Sequence, residues 1–169
     1  DYSADAAATH TFFATVQNKL HFAIHGHTAA ELILKRANSQ NPNMGLTTWK
    51  NAPSGKIIKT DVSVAKNYLT EKQIKTLDRF VTMYLDYAES QAERNIPMTM
   101  SDWANKLNAF LQFNEKEILN DAGKVTQAIA KAFAESEFEK YRIIQDRLFE
   151  SDFDKAVKKA LDENKQTLL

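Results

Sequence analysis

The chain has 169 residues, enough for one hydrophobic core and too few to argue for two domains. Its 22 basic residues are balanced by 22 acidic ones, which removes any global electrostatic case for nucleic-acid binding. The absence of cysteine excludes disulfides, thiolate zinc sites and cysteine nucleophiles and fits a reducing compartment, and no apolar run nears the roughly 20 residues that span a bilayer.

Only 4 glycines and 3 prolines are present, which disfavours a sandwich or barrel of many short strands. Phe12, Phe13, Val16, Leu20, Ala23 and Ile24 form one helical stripe, and Ala29, Ala30, Ile33 and Ala37 continue it beyond Gly26. This pattern predicts a helix from about residue 8 to 38, bent or broken at Gly26. Residues 39–60 hold two of the three prolines and two of the four glycines and read as one long loop, with a short hairpin arm at Lys56-Ile57-Ile58-Lys59. Between Lys35 and Lys66 six basic residues face one acid, Asp61, so this stretch is either a solvated loop or an anion-binding surface.

Thr60 or Asp61 is placed to cap a short helix running to Tyr68. Thr70-Glu71-Lys72-Gln73 is a capping box. The helix that follows carries Ile74, Leu77, Val81, Tyr84, Leu85, Ala88 and Ala92 as its core stripe and closes before Pro97. Ser101 is the expected cap of a helix burying Trp103, Leu107, Phe110 and Leu111. A long helix over 125–148 is expected to bury Ile129, Phe133, Phe138, Tyr141, Ile144 and Leu148, and Ser151 to cap a last helix that frays over 162–169. The charge runs at 135–140 and 152–159 read as solvated helix faces. The fold class is all-α, a single compact domain of about six helices over 1–169.

The chemistry concentrates in the run from Asn18 to Glu31, which holds three of the four histidines. His21 and His25 lie four residues apart and share a helix face, and His27 and Glu31 repeat the spacing. Imidazole and carboxylate are zinc's usual non-thiolate ligands, but Phe22 after His21 breaks the His-Glu-x-x-His pattern, and no metal is assigned. As acid–base groups, the imidazoles titrate near neutrality and Glu31 is placed to orient one of them. The helix start after Gly26 offers backbone N–H groups to an anion, and with the basic loop beside it the most economical ligand bears a phosphate, such as a nucleotide. Trp49 either stacks on a base or pins its loop. Lys66 and Asn67 are polar residues inside a helical stretch, and the amides of Asn18 and Asn43 suit hydrogen-bonded recognition. The candidate ligand-binding set is therefore Asn18, His21, His27, Glu31, Asn43, Trp49, Lys66 and Asn67, with His25 as the candidate catalytic base. These residues specify no particular cofactor.

Several long segments resemble the RhuM family of bacterial virulence-associated proteins: Phe12-Phe13-Ala14-Thr15-Val16-Gln17-Asn18-Lys19-Leu20-His21, His27-Thr28-Ala29-Ala30-Glu31-Leu32-Ile33, Pro42-Asn43-Met44-Gly45-Leu46-Thr47-Thr48-Trp49, Asp61-Val62-Ser63-Val64-Ala65-Lys66-Asn67-Tyr68-Leu69 and Met83-Tyr84-Leu85-Asp86-Tyr87-Ala88-Glu89. The resemblance covers about residues 10–153. It implies a cytoplasmic bacterial protein associated with pathogenicity islands and mobile elements, and it implies no particular activity. Members typically carry a DNA-binding N-terminal part. A chain that opens on Asp1 rather than Met is expected to be the C-terminal piece, with nucleic acid contacted through that other part.

Ile24-His25-Gly26-His27-Thr28-Ala29-Ala30 also has a weaker likeness to Fic/Doc proteins, all-α transferases of nucleotide or phosphate groups with a His-Pro-Phe-x-Asp/Glu-Gly-Asn-Gly/Lys-Arg motif. Only His25 and one glycine align; the Pro-Phe pair, the acid, the Asn and the Arg are missing. The readings are therefore a ligand-binding or toxin-like effector module, a degenerate Fic-like transferase using His25, and a helical homodimerisation module serving a DNA-binding part. None involves a membrane.

Overall fold

Gly26 ends the first helix where the periodicity predicts a break. Its φ of +75° is open to glycine at little cost, and its N–H closes the last turn on the Phe22 carbonyl at 2.8 Å. The computed structural model describes residues 7–149 and 152–167. It contains α1 (Ala7–His25), α2 (Ala29–Arg36), α3 (Glu71–Glu93), α4 (Met100–Phe113), α5 (Gln127–Leu148) and α6 (Asp152–Thr167), with single 3-10 turns at Pro42–Gly45 and Ala65–Tyr68. The fold is all-α, and no strand occurs among the described residues. Ser151 lies outside them. The end expected to fray from 162 is helical to Thr167, with 168 and 169 also outside.

Short α2 is the hub. Leu32 and Ile33 are fully buried, and the helix packs against α1, α5 and the Ala65–Tyr68 turn, while α1 packs on its other side against α3 and α4. An eight-residue helix is marginal by itself, so tertiary burial and capping must hold it. Thr28 accepts from the Glu31 N–H while Glu31 accepts from the Thr28 N–H, a capping box written as Thr-x-x-Glu in the sequence that the periodicity reading passed over. The predicted box at Thr70 and Gln73 is present. The cap of α4 is Thr99 rather than Ser101: Thr99 and Asp102 form a reciprocal box that sets the start two residues earlier.

The largest correction concerns the loop. Residues 39–60 are irregular and mostly exposed, but segment 37–70 sends anchors into the core: Met44, Val62, Tyr68 and Leu69 are fully buried, and Leu46 and Ile57 nearly so. The segment is fastened to one face of α5. Buried Glu137 accepts from the Ser39 N–H at 2.7 Å, and the Gln145 amide accepts from the Ile57 N–H at 2.8 Å and donates to its carbonyl at 3.1 Å. Gln145 thus supplies both bonds that a partner strand would, which is why no hairpin forms at 56–59. Asp61 caps no helix. Its buried carboxylate accepts from the N–H groups of Lys50 and Ile58 at 3.0 and 2.9 Å. Glu137, expected on a solvated face, is held down to a pKa of about 2 by Lys140 and Ser39.

α5 also turns a different face inward from the one its large residues suggest. Ala130, Ala134 and Phe138 are buried, whereas Ile129, Phe133 and Leu148 are exposed. Small side chains let α5 approach α2 closely, and that contact wins over the larger apolar row. On α3, Leu77 and Phe80 face the core, while Leu85 and Ala92 from the predicted stripe face outward.

Candidate functional site

The three clustered histidines form a chain of contacts. His21 Nδ1 and His25 Nε2 are 2.9 Å apart, so one N–H is shared between the rings, and His27 Nδ1–H donates to the His25 carbonyl at 2.9 Å. His21 is buried, and burial lowers its pKa. His25 is pushed down to about 4, by burial first and then by His21, Arg36 and His27, and its Nδ1 is buried without a hydrogen-bond partner. Because the first two rings bond each other, they do not converge on a common centre. No group of three metal-competent side chains occurs among the described residues.

Local bonding occupies most of the α2 start. Asn18 Oδ1 accepts from the Ala29 N–H at 3.3 Å, and Glu31 accepts from Thr28 and Lys124 N–H groups at 2.9 and 2.7 Å. Although burial pushes the Glu31 carboxyl up, those backbone donors, together with His27 and Lys124, bring it below its ordinary range. A carboxylate of the chain itself therefore sits where an anion would bind at the helix N-terminus. Gly123 permits this junction: its φ is +82°, and a Cβ there would lie 2.5 Å from Thr28 Cγ2.

The remaining candidate residues fall elsewhere. Asn43 has a left-handed φ of 52°, and its backbone lies against the Tyr141 hydroxyl. Trp49 donates to the Gly55 carbonyl at 2.7 Å and so pins its own turn. Lys66 pairs with Asp78 at 3.3 Å on the surface. Asn67 donates to the Asp61 carbonyl at 2.9 Å, while its own carbonyl receives Thr47. Asn18, His21, His25, His27 and Glu31 are brought together at the junction of α1 and α2; Asn43, Trp49, Lys66 and Asn67 belong to the framework of the 37–70 segment.

Among several concave surfaces of the described residues, two differ most in chemistry. One, an open cleft of about 760 Å³, lies beside His27 and Glu31 and is lined by Lys35, Asp121 and Lys124 together with apolar side chains such as Phe22, Leu34 and Val125. Lys35 Nζ donates to His27 Nε2 at 3.2 Å. Sequence reading placed Lys35 in its basic stretch but missed Lys124, which arrives from a turn that local pattern marks only as a turn. The other surface is an apolar groove of about 420 Å³ between α1, α3 and α4, lined by Phe12, Phe13, Leu20, Tyr84, Leu85 and Trp103 among others. Leu85 is 61% exposed there. The wall is rigid, since Tyr84 donates to the Trp103 carbonyl at 2.6 Å and its ring packs edge-on to Trp103.

An all-helical domain with a capped α1–α2 junction and an open apolar groove is the class that fold and surface define. The model of the Virulence protein RhuM family matches residues 1–150, and the chain belongs to that family of virulence-associated proteins. No curated protein and no solved structure matches it. Among the described residues, no helix is long and apolar enough to cross a membrane.

Proposed function

We propose that this RhuM-family domain is a protein-interaction module that receives an amphipathic helix in the groove between α1, α3 and α4. The observation carrying this reading is the groove itself: aromatic and aliphatic walls held by internal packing, open to solvent, with Leu85 at the rim. Soluble domains rarely leave such continuous apolar surface without a use, and helix-in-groove recognition needs anchors of this kind. Of the sequence readings, the third, a helical homodimerisation module, is the nearest to this one. The test is displacement of an environment-sensitive anilinonaphthalene dye by a designed amphipathic Leu/Lys helix. The expected result is competitive displacement, abolished by Leu85→Glu; equal displacement from that variant would sink the reading.

A phosphate-bearing ligand is the second reading, supported by Lys35 and Lys124 beside His27 in the 760 Å³ cleft. It no longer rests on the start of α2, where Glu31 occupies the anion position. The same carboxylate argues against Fic-like transfer through His25, whose Nε2 is engaged by His21. Calorimetric titration with inorganic phosphate and with ATP tests it; unchanged affinity after Lys35→Ala with Lys124→Ala would remove it.

A further inference from the structure

The 760 Å³ cleft beside the α1–α2 junction combines two kinds of surface. Phe22 of α1, Leu34 of α2, and Ile118, Leu119 and Val125 from the segment between α4 and α5 give it apolar walls, and Lys35 and Lys124 bring ammonium groups to the same space. Small-molecule sites have volumes in this range and are commonly built this way, from hydrocarbon walls with a few fixed polar groups. The 118–125 segment is fastened at both ends. Lys19 Nζ donates to the Leu119 carbonyl at 2.7 Å, the Lys124 N–H donates to Glu31 at 2.7 Å, and Gly123 packs so closely on Thr28 that a Cβ would overlap it. The apolar side chains are therefore positioned before any ligand arrives, which favours binding.

Charge in the cleft is formally balanced, since Glu31 and Asp121 line it together with the two lysines. Hydrogen bonding breaks the balance. Both Glu31 oxygens accept backbone N–H groups, from Thr28 and Lys124, and Asp121 Oδ1 accepts from the Gly123 N–H at 2.8 Å. The ammonium groups are not so engaged. Neither Lys35 nor Lys124 forms an ion pair among the described residues, although the charge of Lys124 is felt by Glu31. Lys35 rests on an imidazole instead. His27 Nδ1–H donates to the His25 carbonyl, so Nε2 carries the lone pair that receives Lys35 at 3.2 Å. An uncharged partner leaves the Lys35 charge uncompensated.

We infer that the cleft takes an aryl or alkyl phosphate monoester, its phosphate held by Lys35 and Lys124 and its hydrocarbon part lying along Phe22, Leu34 and Val125. This rests on the phosphate reading above and names the class of ester. Two uncompensated ammonium groups match a phosphate monoester, which carries a charge of about −1.5 to −2 near neutral pH, better than a single carboxylate. A nucleotide would set its ribose and base against hydrocarbon walls that cannot hydrogen-bond to them; an apolar ester group has no such groups to satisfy.

The test is calorimetric titration of the full chain near neutral pH with 1-naphthyl phosphate, inorganic phosphate and 1-naphthol. The chains compared are the wild type, Leu34→Gln, Lys35→Ala with Lys124→Ala, and Leu85→Glu, which alters only the α1/α3/α4 groove. All four positions are exposed, and circular dichroism checks that each variant keeps its helix content. 1-Naphthyl phosphate is expected to bind about 30-fold more tightly than inorganic phosphate and about 10-fold more tightly than 1-naphthol. Leu34→Gln should remove most of the first advantage and leave inorganic phosphate unchanged, whereas the double lysine variant should weaken both anions by about 10-fold. Leu85→Glu should change nothing. Equal affinity for the ester and for inorganic phosphate overturns the inference, as does 1-naphthol binding as tightly as its phosphate. An ester advantage indifferent to Leu34→Gln also overturns it, and its loss with Leu85→Glu would put the ring in the other groove. If inorganic phosphate binds through the two lysines and the ester gains nothing, only the class of ligand fails; if neither anion binds, the phosphate reading fails with it.

Discussion

Removing the Glu137 carboxylate tests whether the 37–70 segment is held to α5 as described. Glu137 accepts from the Ser39 N–H at 2.7 Å, Ser39 is itself buried, and Lys140 pairs with the other carboxylate oxygen. Glu137→Ala leaves that N–H buried without an acceptor and removes a charge-assisted bond, a loss of about 2–4 kcal/mol. Glu137→Gln keeps an amide oxygen for Ser39 and forfeits only the charge, about 1–2 kcal/mol. The pH dependence has a definite sign. The carboxyl is depressed from 4.5 to about 2, so its contribution is fully present above 4.5 and is lost as pH falls through 2. The shift bounds that contribution at about 3 kcal/mol. Lys140 is mostly exposed and screened, so about half is expected. Urea unfolding at pH 7 and at pH 3 measures all three chains. At pH 3 the gap between wild type and the Gln variant should narrow. Equal midpoints for Gln and Ala, or a Gln deficit that persists unchanged at pH 3, would refute the assignment.

Gly45→Ala should be severe, lowering stability by at least about 2 kcal/mol, because φ is +83° and a Cβ would lie 2.2 Å from the Arg36 carbonyl oxygen; an unchanged melting temperature would contradict this. Tyr68→Phe removes a buried 2.8 Å bond to the Val62 carbonyl and should cost about 1–2 kcal/mol in chemical unfolding, with little effect if the hydroxyl is in fact hydrated. His25 should titrate by NMR near 4. The folded state then binds fewer protons than the unfolded chain between about 4 and 6.5, so stability should fall as pH drops through that window; an imidazole titrating near 6.5 would contradict the burial of that ring.

How far the fold was legible varied with the range of the interactions that decide it. The break at Gly26, the Thr70 box and the inward row Trp103, Leu107, Phe110 and Leu111 follow from local periodicity and capping, and the structure has them. The anchoring of segment 37–70 in the core was not legible, because polar loop composition hides the long-range bonds from Glu137 and Gln145 that satisfy its backbone. The face of α5 was misread for a related reason. Hydrophobic size predicts Ile129 and Phe133 inside, but close approach to α2 selects Ala130 and Ala134. The histidine run was visible as a cluster. Its internal bonding was not, since the ring orientations and the filling of the α2 start by Asn18 and Glu31 depend on where α1, α2 and the 123–124 turn meet.

By itself the sequence determined the helical class, the main helix starts and stops, and membership in a virulence-associated family, because each is written in residues close together along the chain. Only the tertiary structure decided which side chains those helices spend on one another. It turned most of the candidate recognition residues into caps and clamps, and it left an apolar groove at the surface. The physical reason is that a polar group is satisfied by whatever partner lies within about 3 Å, and that partner is often some hundred residues away.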